Sequence, residues 1–291
     1  MKKKTNAFDV FNVVLMALLV SVTLLPFLHV VSKAFSGVGK VTAGLVTVYP
    51  QDIQFDSLLY VLRNQMFLNS LGISLVVTVA GTVGAMIITV LTAYPLSKKG
   101  WRGRKAVMYL YIFVMLFSGG MVPNYLLFTG LKLTNTLFAM ILPGLLSVYN
   151  MLIIKNYMEG LPESVEEAAV IDGASHLRLL FSIVLPMSMP VIATISLFYA
   201  VSYWNDYFAA MLYVTKQELK PLQLYLYELI QQSINIVDNM GNYIDMDSAM
   251  NVSPENIRSA TIVVATVPIL LLYPLLQKHF AKGITIGSVK G

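Results

Sequence analysis

The sequence has 291 residues, of which 57% are hydrophobic and only 12% charged, and its mean hydropathy is +0.71. Soluble domains carry about 25% Asp, Glu, Lys and Arg, so the composition argues against a cytosolic enzyme, and a net charge of +5 is too modest to point to nucleic acid. Without cysteine, the chain has no disulfide, thiolate metal site or cysteine nucleophile.

A membrane-spanning helix needs roughly 20 mostly apolar residues, and six apolar stretches follow one another along the chain. They are read at about 10–31, 70–96, 106–122, 136–154, within 183–214, and at 259–276. None alternates strictly with period 2, which predicts an all-α membrane protein of six transmembrane helices rather than a barrel. Pro26, Pro143, Pro268 and Pro274 fall inside these stretches, where neighbouring membrane helices tolerate them.

Six crossings place Lys2, Lys3, Lys4, Lys98, Lys99, Arg102, Arg104, Lys105, Lys155, Arg178, Lys278, Lys282 and Lys290 on one side, 13 of the 20 basic residues. The positive-inside rule makes that side the cytoplasm, with both termini in it, so the chain is expected to be a multi-pass protein of a bacterial-type cell membrane. The first span follows Lys2–Lys4 as a signal peptide would. Its length and its lack of a small-x-small cleavage site predict a retained anchor instead. The organisation is then an N-terminus at 1–9, a membrane domain at 10–278 and a tail at 279–291.

The outer loops are expected at 32–69, 123–135 and about 215–258. The last holds Glu218, Glu228, Asp238, Asp245, Asp247 and Glu255 and begins with an amphipathic pattern after Pro221, through Leu222, Leu224, Leu226, Leu229 and Ile230. Two readings stand for it: a helix lying on the outer membrane surface, or a docking surface for an external partner.

Between the fourth and fifth stretches, residues 159–190 read EGLPESVEEAAVIDGASHLRLLFSIVLPMSMP. Pro162 suits the start of a helix, and Glu163, Glu166 and Glu167 lie where the helix dipole favours acids. Gly173 permits a turn with positive φ. A second short helix, with Leu177, Leu180, Phe181 and Val184 on one side, is expected to reach Pro186 and stop. The shape is helix, turn, helix, a knob that could fit a cleft in a soluble partner.

Glu167-Ala168-Ala169, three residues, Gly173, nine residues, Ile183, one residue, then Leu185-Pro186 resembles the EAA loop of ATP-binding-cassette importer permeases at every signature position. The C-terminal GITIGSVKG, with Ala93-Tyr94-Pro95 and Trp204-Asn205-Asp206, resembles the maltose-system-related, MetI-like carbohydrate branch of that family. The extended loop before the final stretch is similar to the aldouronate-type oligosaccharide subgroup, a departure that points away from maltose.

The resemblance implies a type I importer fold with cytoplasmic coupling helices and a role in carbohydrate import. It also implies a second homologous permease subunit, two ATPase subunits that bind ATP and Mg, and an external sugar-binding protein. Glu167, Ala168, Ala169, Gly173, Ile183, Leu185 and Pro186 then match the ATPase-coupling segment. Gly283, Thr285, Gly287, Val289 and Lys290 match a tail that reaches the ATPases. The chain has no G-x-x-x-x-G-K-[ST] phosphate loop, which agrees with a non-catalytic subunit that holds no cofactor of its own.

Tyr199, Tyr203, Trp204, Asn205, Asp206 and Tyr207 gather aromatic and polar groups in the fifth stretch. Aromatic faces suit the C–H faces of sugars, and an ionisable residue inside a membrane is a functional candidate. The other reading is an interfacial aromatic belt. His29, His176 and His279 are dispersed and suggest no metal site. Two further classes compete: a secondary transporter driven by an ion gradient, with Asp206 as coupling group, and a membrane scaffold or sensor that transports nothing.

Overall fold

The computed structural model describes the backbone of residues 7–235 and 253–287, and the side chains of 8–231 and 253–270. Lys2–Lys4, Asp238, Asp245, Asp247, Val289 and Lys290 lie outside the described residues. In chain order the α-helices are α1 (Ala7–Ala34), α2 (Val38–Thr42), α3 (Asp56–Arg63), α4 (Gln65–Ser97), α5 (Arg104–Leu116), α6 (Met121–Gly130), α7 (Phe138–Ile141), α8 (Val148–Glu159), α9 (Glu163–Ile171), α10 (His176–Leu179), α11 (Leu185–Met187), α12 (Met189–Asn205), α13 (Phe208–Tyr213), α14 (Leu222–Asn235) and α15 (Pro254–Gly287). Among the described residues the only strand-like pairing is an isolated bridge between Ser36 and Ile53.

Helices α1 and α4 are long and apolar enough to cross a membrane unbroken. Three further stretches reach that length only as bent pairs: α5 with α6 at 109°, the segment Phe138–Gly144 with α8 at 48°, and His176–Met187 with α12 at 83°. The break between α5 and α6 follows from Ser118-Gly119-Gly120, where Gly120 takes φ +89°. It replaces the expected single span at 106–122, and the expected outer loop at 123–135 is helical as far as Gly130.

The chain forms two compact units. The first joins the residues up to Leu68 with Leu226–Pro268. Its long helix α1 is exposed over most of its apolar length, and its C-terminal end is held by polar contacts. Ser32 donates to the Val48 carbonyl at 2.5 Å, and Ser36 Oγ accepts from Gln51 N at 2.9 Å. The buried Asn256, in the first turn of α15, donates from Nδ2 to the carbonyls of Lys33 at 3.1 Å and Ser36 at 2.8 Å. Lys33 pairs with Glu255 at 2.5 Å. Asn256 thus ties the start of α15 to the last turn of α1 through Lys33 and to the chain just beyond it through Ser36.

The second unit joins Asn69–Tyr225 with the residues after Pro268, and its core forms along α4, α8 and α12. Lipid is as apolar as the side chains, so helices in a membrane are held by close packing rather than by escape from water. Helix α4 supplies the surface for it: Gly81, Ala85, Thr89 and Ala93 recur every four residues and are all buried. Helix α14 begins directly after Pro221, as expected, and Leu222 and Leu224 are buried, with Leu222 N donating to Ser74 Oγ at 2.7 Å. Its first turn is thus anchored in the core.

Candidate functional site

Helix α9 starts one residue after Pro162, whose extended backbone makes it the cap rather than the first helical residue. The helix ends on Gly173 with φ +77°. Gly173 N donates to the Val170 carbonyl at 3.0 Å and Ala174 N to the Ala169 carbonyl at 2.9 Å, the paired bonds of a Schellman cap. The turn therefore has the positive φ that the glycine predicts. A Cβ at Gly173 would meet nothing within 4 Å, so the restriction there is conformational and not steric.

Only Ala169 of α9 is buried, and it seats the helix on the core. Glu167, Ala168 and Val170 face outward, and Ile171 is 85% exposed. The second helix differs from its expected form. Leu180 and Val184 are buried while Leu177 and Phe181 are exposed, so the four split between two faces. The helical path continues past Pro186: residues Leu180–Val184 form a π turn and α11 carries the proline. Wider i→i+5 bonding is a known way for a helix to absorb a residue that cannot donate. Ile183 and Leu185 pack against the core, and Pro186 is exposed.

The acids of this segment have divided roles. Lys99 pairs with Glu163 at 2.8 Å, and Lys98 pairs with Glu166. Arg104 reaches Glu159 at 2.6 Å, and Lys155 also pairs with Glu159. The basic loop between α4 and α5 thus fastens α9 in place. The hydrogen bond from Lys99 and its charge hold the Glu163 carboxyl below the usual carboxylate range, and the same contact raises the Lys99 ammonium. Among the described residues Glu167 has no ion-pair partner, so it is the acid of the helix that stands available to another chain.

The six residues of the fifth stretch do not converge on one space. The Tyr199 hydroxyl lies 2.7 Å from Thr89 Oγ1 and accepts from Ser147 N at 3.0 Å, which ties α12 to α4 and to the cap of α8. Tyr203 donates to the Ile141 carbonyl at 2.9 Å. A Cβ at Gly81 would come within 2.7 Å of the Tyr203 ring and one at Gly144 within 2.8 Å of its hydroxyl, so two glycines make the slot for it. Trp204 is buried as well. Asn205 donates to the Val201 carbonyl of its own helix at 2.9 Å, and Asp206 Oδ1 accepts from Phe208 N at 3.0 Å and Ala209 N at 3.2 Å, capping α13. Asn205 and Tyr207 are exposed. The sequence reading missed Gly81, Thr89, Gly144 and Ser147. The four-residue repeat of small residues on α4 was the signal for the first two.

Of the tail residues, Gly283, Thr285 and Gly287 lie on the helical backbone of α15.

The described residues form apolar helices, three pairs of them bent, and an exposed helix-turn-helix that carries the EAA spacing. Residues 81–286 match the family described as binding-protein-dependent transport system inner membrane component, and the chain belongs to that family. It is 41% identical over 291 aligned residues to protein LplC of Bacillus subtilis (strain 168), covering 99% of this chain and 97% of that one. It is 40% identical to the polygalacturonan/rhamnogalacturonan transport system permease protein YtcP of the same organism, covering 99% of this chain and 100% of that one. A chain in the crystal structure of a bacterial ABC transporter involved in the import of the acidic polysaccharide alginate superposes with a TM-score of 0.89 at 32% identity, over 96% of this chain and 100% of that chain. Nothing in these matches favours a gradient-driven transporter.

Proposed function

We propose that this chain forms half of the translocation pathway of an importer for uronic-acid-bearing oligosaccharides, paired with a second homologous permease. Two ATPase subunits, with their ATP and Mg, drive it from the cytoplasmic side, where both termini lie, and an external binding protein delivers the sugar. The aldouronate-type resemblance, and the substrates named for YtcP and for the alginate importer, support this sugar class.

The observation that carries the coupling role is the exposed knob of α9 and α10. It is pinned from behind by Lys98 and Lys99 and presents Glu167, Ala168, Ile171, Gly173 and Leu177 outward. A seated knob moves with its ATPase groove. Closure of the ATPases on ATP would rock the helices toward the outward-open state, which the loaded binding protein favours by binding it better. The tail through Val289 and Lys290 would add a second contact with the ATPases.

The test is Gly173→Asp in the reconstituted complex. Asp tolerates the positive φ, so insertion is preserved while a charge enters the knob. Sugar-stimulated uptake is expected to fall by about tenfold or more, the effect of losing an interface anchor, while basal ATP hydrolysis persists. Normal uptake by this variant removes the coupling role. Stimulation of ATP hydrolysis by binding protein loaded with neutral but not with uronic-acid oligosaccharides overturns the sugar class.

A further inference from the structure

Next to the coupling knob lies a cavity of about 500 Å³ with a different chemistry. Five of its lining side chains are basic: Lys99, Arg102, Arg104, Lys105 and Lys155. Glu163 and Glu159 compensate Lys99 and the pair Arg104 and Lys155. Among the described residues Arg102 and Lys105 have no ion-pair partner. The cavity therefore carries surplus positive charge. It also sits at the start of α5, a 13-residue helix without a side-chain cap, whose positive dipole end adds to the field there even though Arg104 N is bonded to the Trp101 carbonyl at 3.2 Å.

The second observation is what leads away from the cavity. Helix α5 has no buried residue. From Lys105 a single face continues at four-residue spacing through Tyr109, Phe113 and Phe117, and Tyr109 itself lines the cavity. All three rings are exposed, and Phe113 stacks on Phe117 with centroids 5.5 Å apart. Trp101, at the cavity wall, is the kind of amphipathic ring that settles at headgroup level. A free phosphate would use the cations and leave this aromatic track unused. An anionic phospholipid uses both, with its phosphate among Arg102, Lys105 and the start of α5 and an acyl chain along the rings.

We propose that this cavity and the α5 face form a discrete binding site for an anionic phospholipid. The site stands beside the loop whose Lys98 and Lys99 hold α9, so an occupied site would steady the support of the knob.

Retention of phosphatidylglycerol on the complete transporter complex, measured by native mass spectrometry after extraction from nanodiscs of mixed phosphatidylglycerol and phosphatidylcholine, tests this. The Arg102→Gln, Lys105→Gln double variant is expected to hold phosphatidylglycerol about tenfold more weakly, given that each basic residue near an anionic surface contributes measurably. Arg102→Lys with Lys105→Arg retains it, and millimolar inorganic phosphate displaces it from neither. Both positions are exposed and outside the knob, so assembly is preserved. Equal retention by the Gln variant and the unmodified chain overturns the proposal. Displacement by inorganic phosphate makes it a free-anion site and overturns the lipid assignment. Loss of an ATPase or of the second permease with lipid retention unchanged gives the surface to that protein partner instead.

Discussion

Tyr203 shows how one side chain can be claimed by packing. Its ring occupies a slot that exists because Gly81 and Gly144 have no Cβ, and its hydroxyl satisfies the Ile141 carbonyl. Gly81→Ala should therefore destabilise the protein by about 1–3 kcal/mol through overpacking, read as a lower thermal midpoint in detergent. Combining it with Tyr203→Leu should recover part of that loss, because the second change removes the ring that the methyl strikes; purely additive losses would show that the slot is not the cause. Asp206 makes a similar point. It was a candidate for sugar or ion because an acid in a membrane stretch demands a reason, and the cap of α13 provides one. Asp206→Asn keeps an acceptor for the two N–H groups, so it should retain folding, whereas Asp206→Ala should cost about 1 kcal/mol, measured by the same midpoint.

At the scale of an element, α9 is a short helix that would not persist alone. Nine residues are too few for a stable isolated helix in water. Its Schellman cap, the buried Ala169 and two ion pairs from the preceding basic loop hold it. The Lys99–Glu163 contact has a definite pH signature. The Glu163 carboxyl is lowered, so its contribution is present above the ordinary carboxylate range and lost as pH falls through the lowered value. The Lys99 ammonium is raised, so its side of the contact is present below the ordinary lysine range and lost as pH rises through the raised value. The pair is thus intact across neutral pH. In ¹³C-labelled protein the Glu163 carboxyl should titrate below a normal glutamate, and Lys99→Met should return it to the ordinary range; no movement on that change would remove Lys99 as the cause.

For the whole molecule, the test that separates the transporter classes is the energy source. Family membership predicts that uptake by the reconstituted complex needs ATP and survives collapse of proton and sodium gradients. Uptake without ATPase subunits, abolished by an ionophore, would return Asp206 to a coupling role.

Much of this was legible along the chain, and for a consistent reason. Apolar length reports the need to satisfy backbone groups inside lipid, so α1 and α4 were visible as runs of residues. Gly173 reported its own φ, and the EAA spacing reported the knob. The three bent spans were not legible, because hydropathy measures transfer into lipid and is blind to direction: Ser118-Gly119-Gly120 is apolar enough to join two helices in a window, yet its backbone turns the path by 109°. Side-chain role was equally hidden. Tyr203 and Asn205 look alike as polar groups in one stretch, but helix rotation sends one into a glycine slot and leaves the other exposed. The sequence by itself determined the class of protein and the position of the helix-turn-helix that carries the EAA spacing, since both depend on local composition and spacing. Only the tertiary structure decided which polar residues are spent on holding helices together, because that depends on partners tens of residues away.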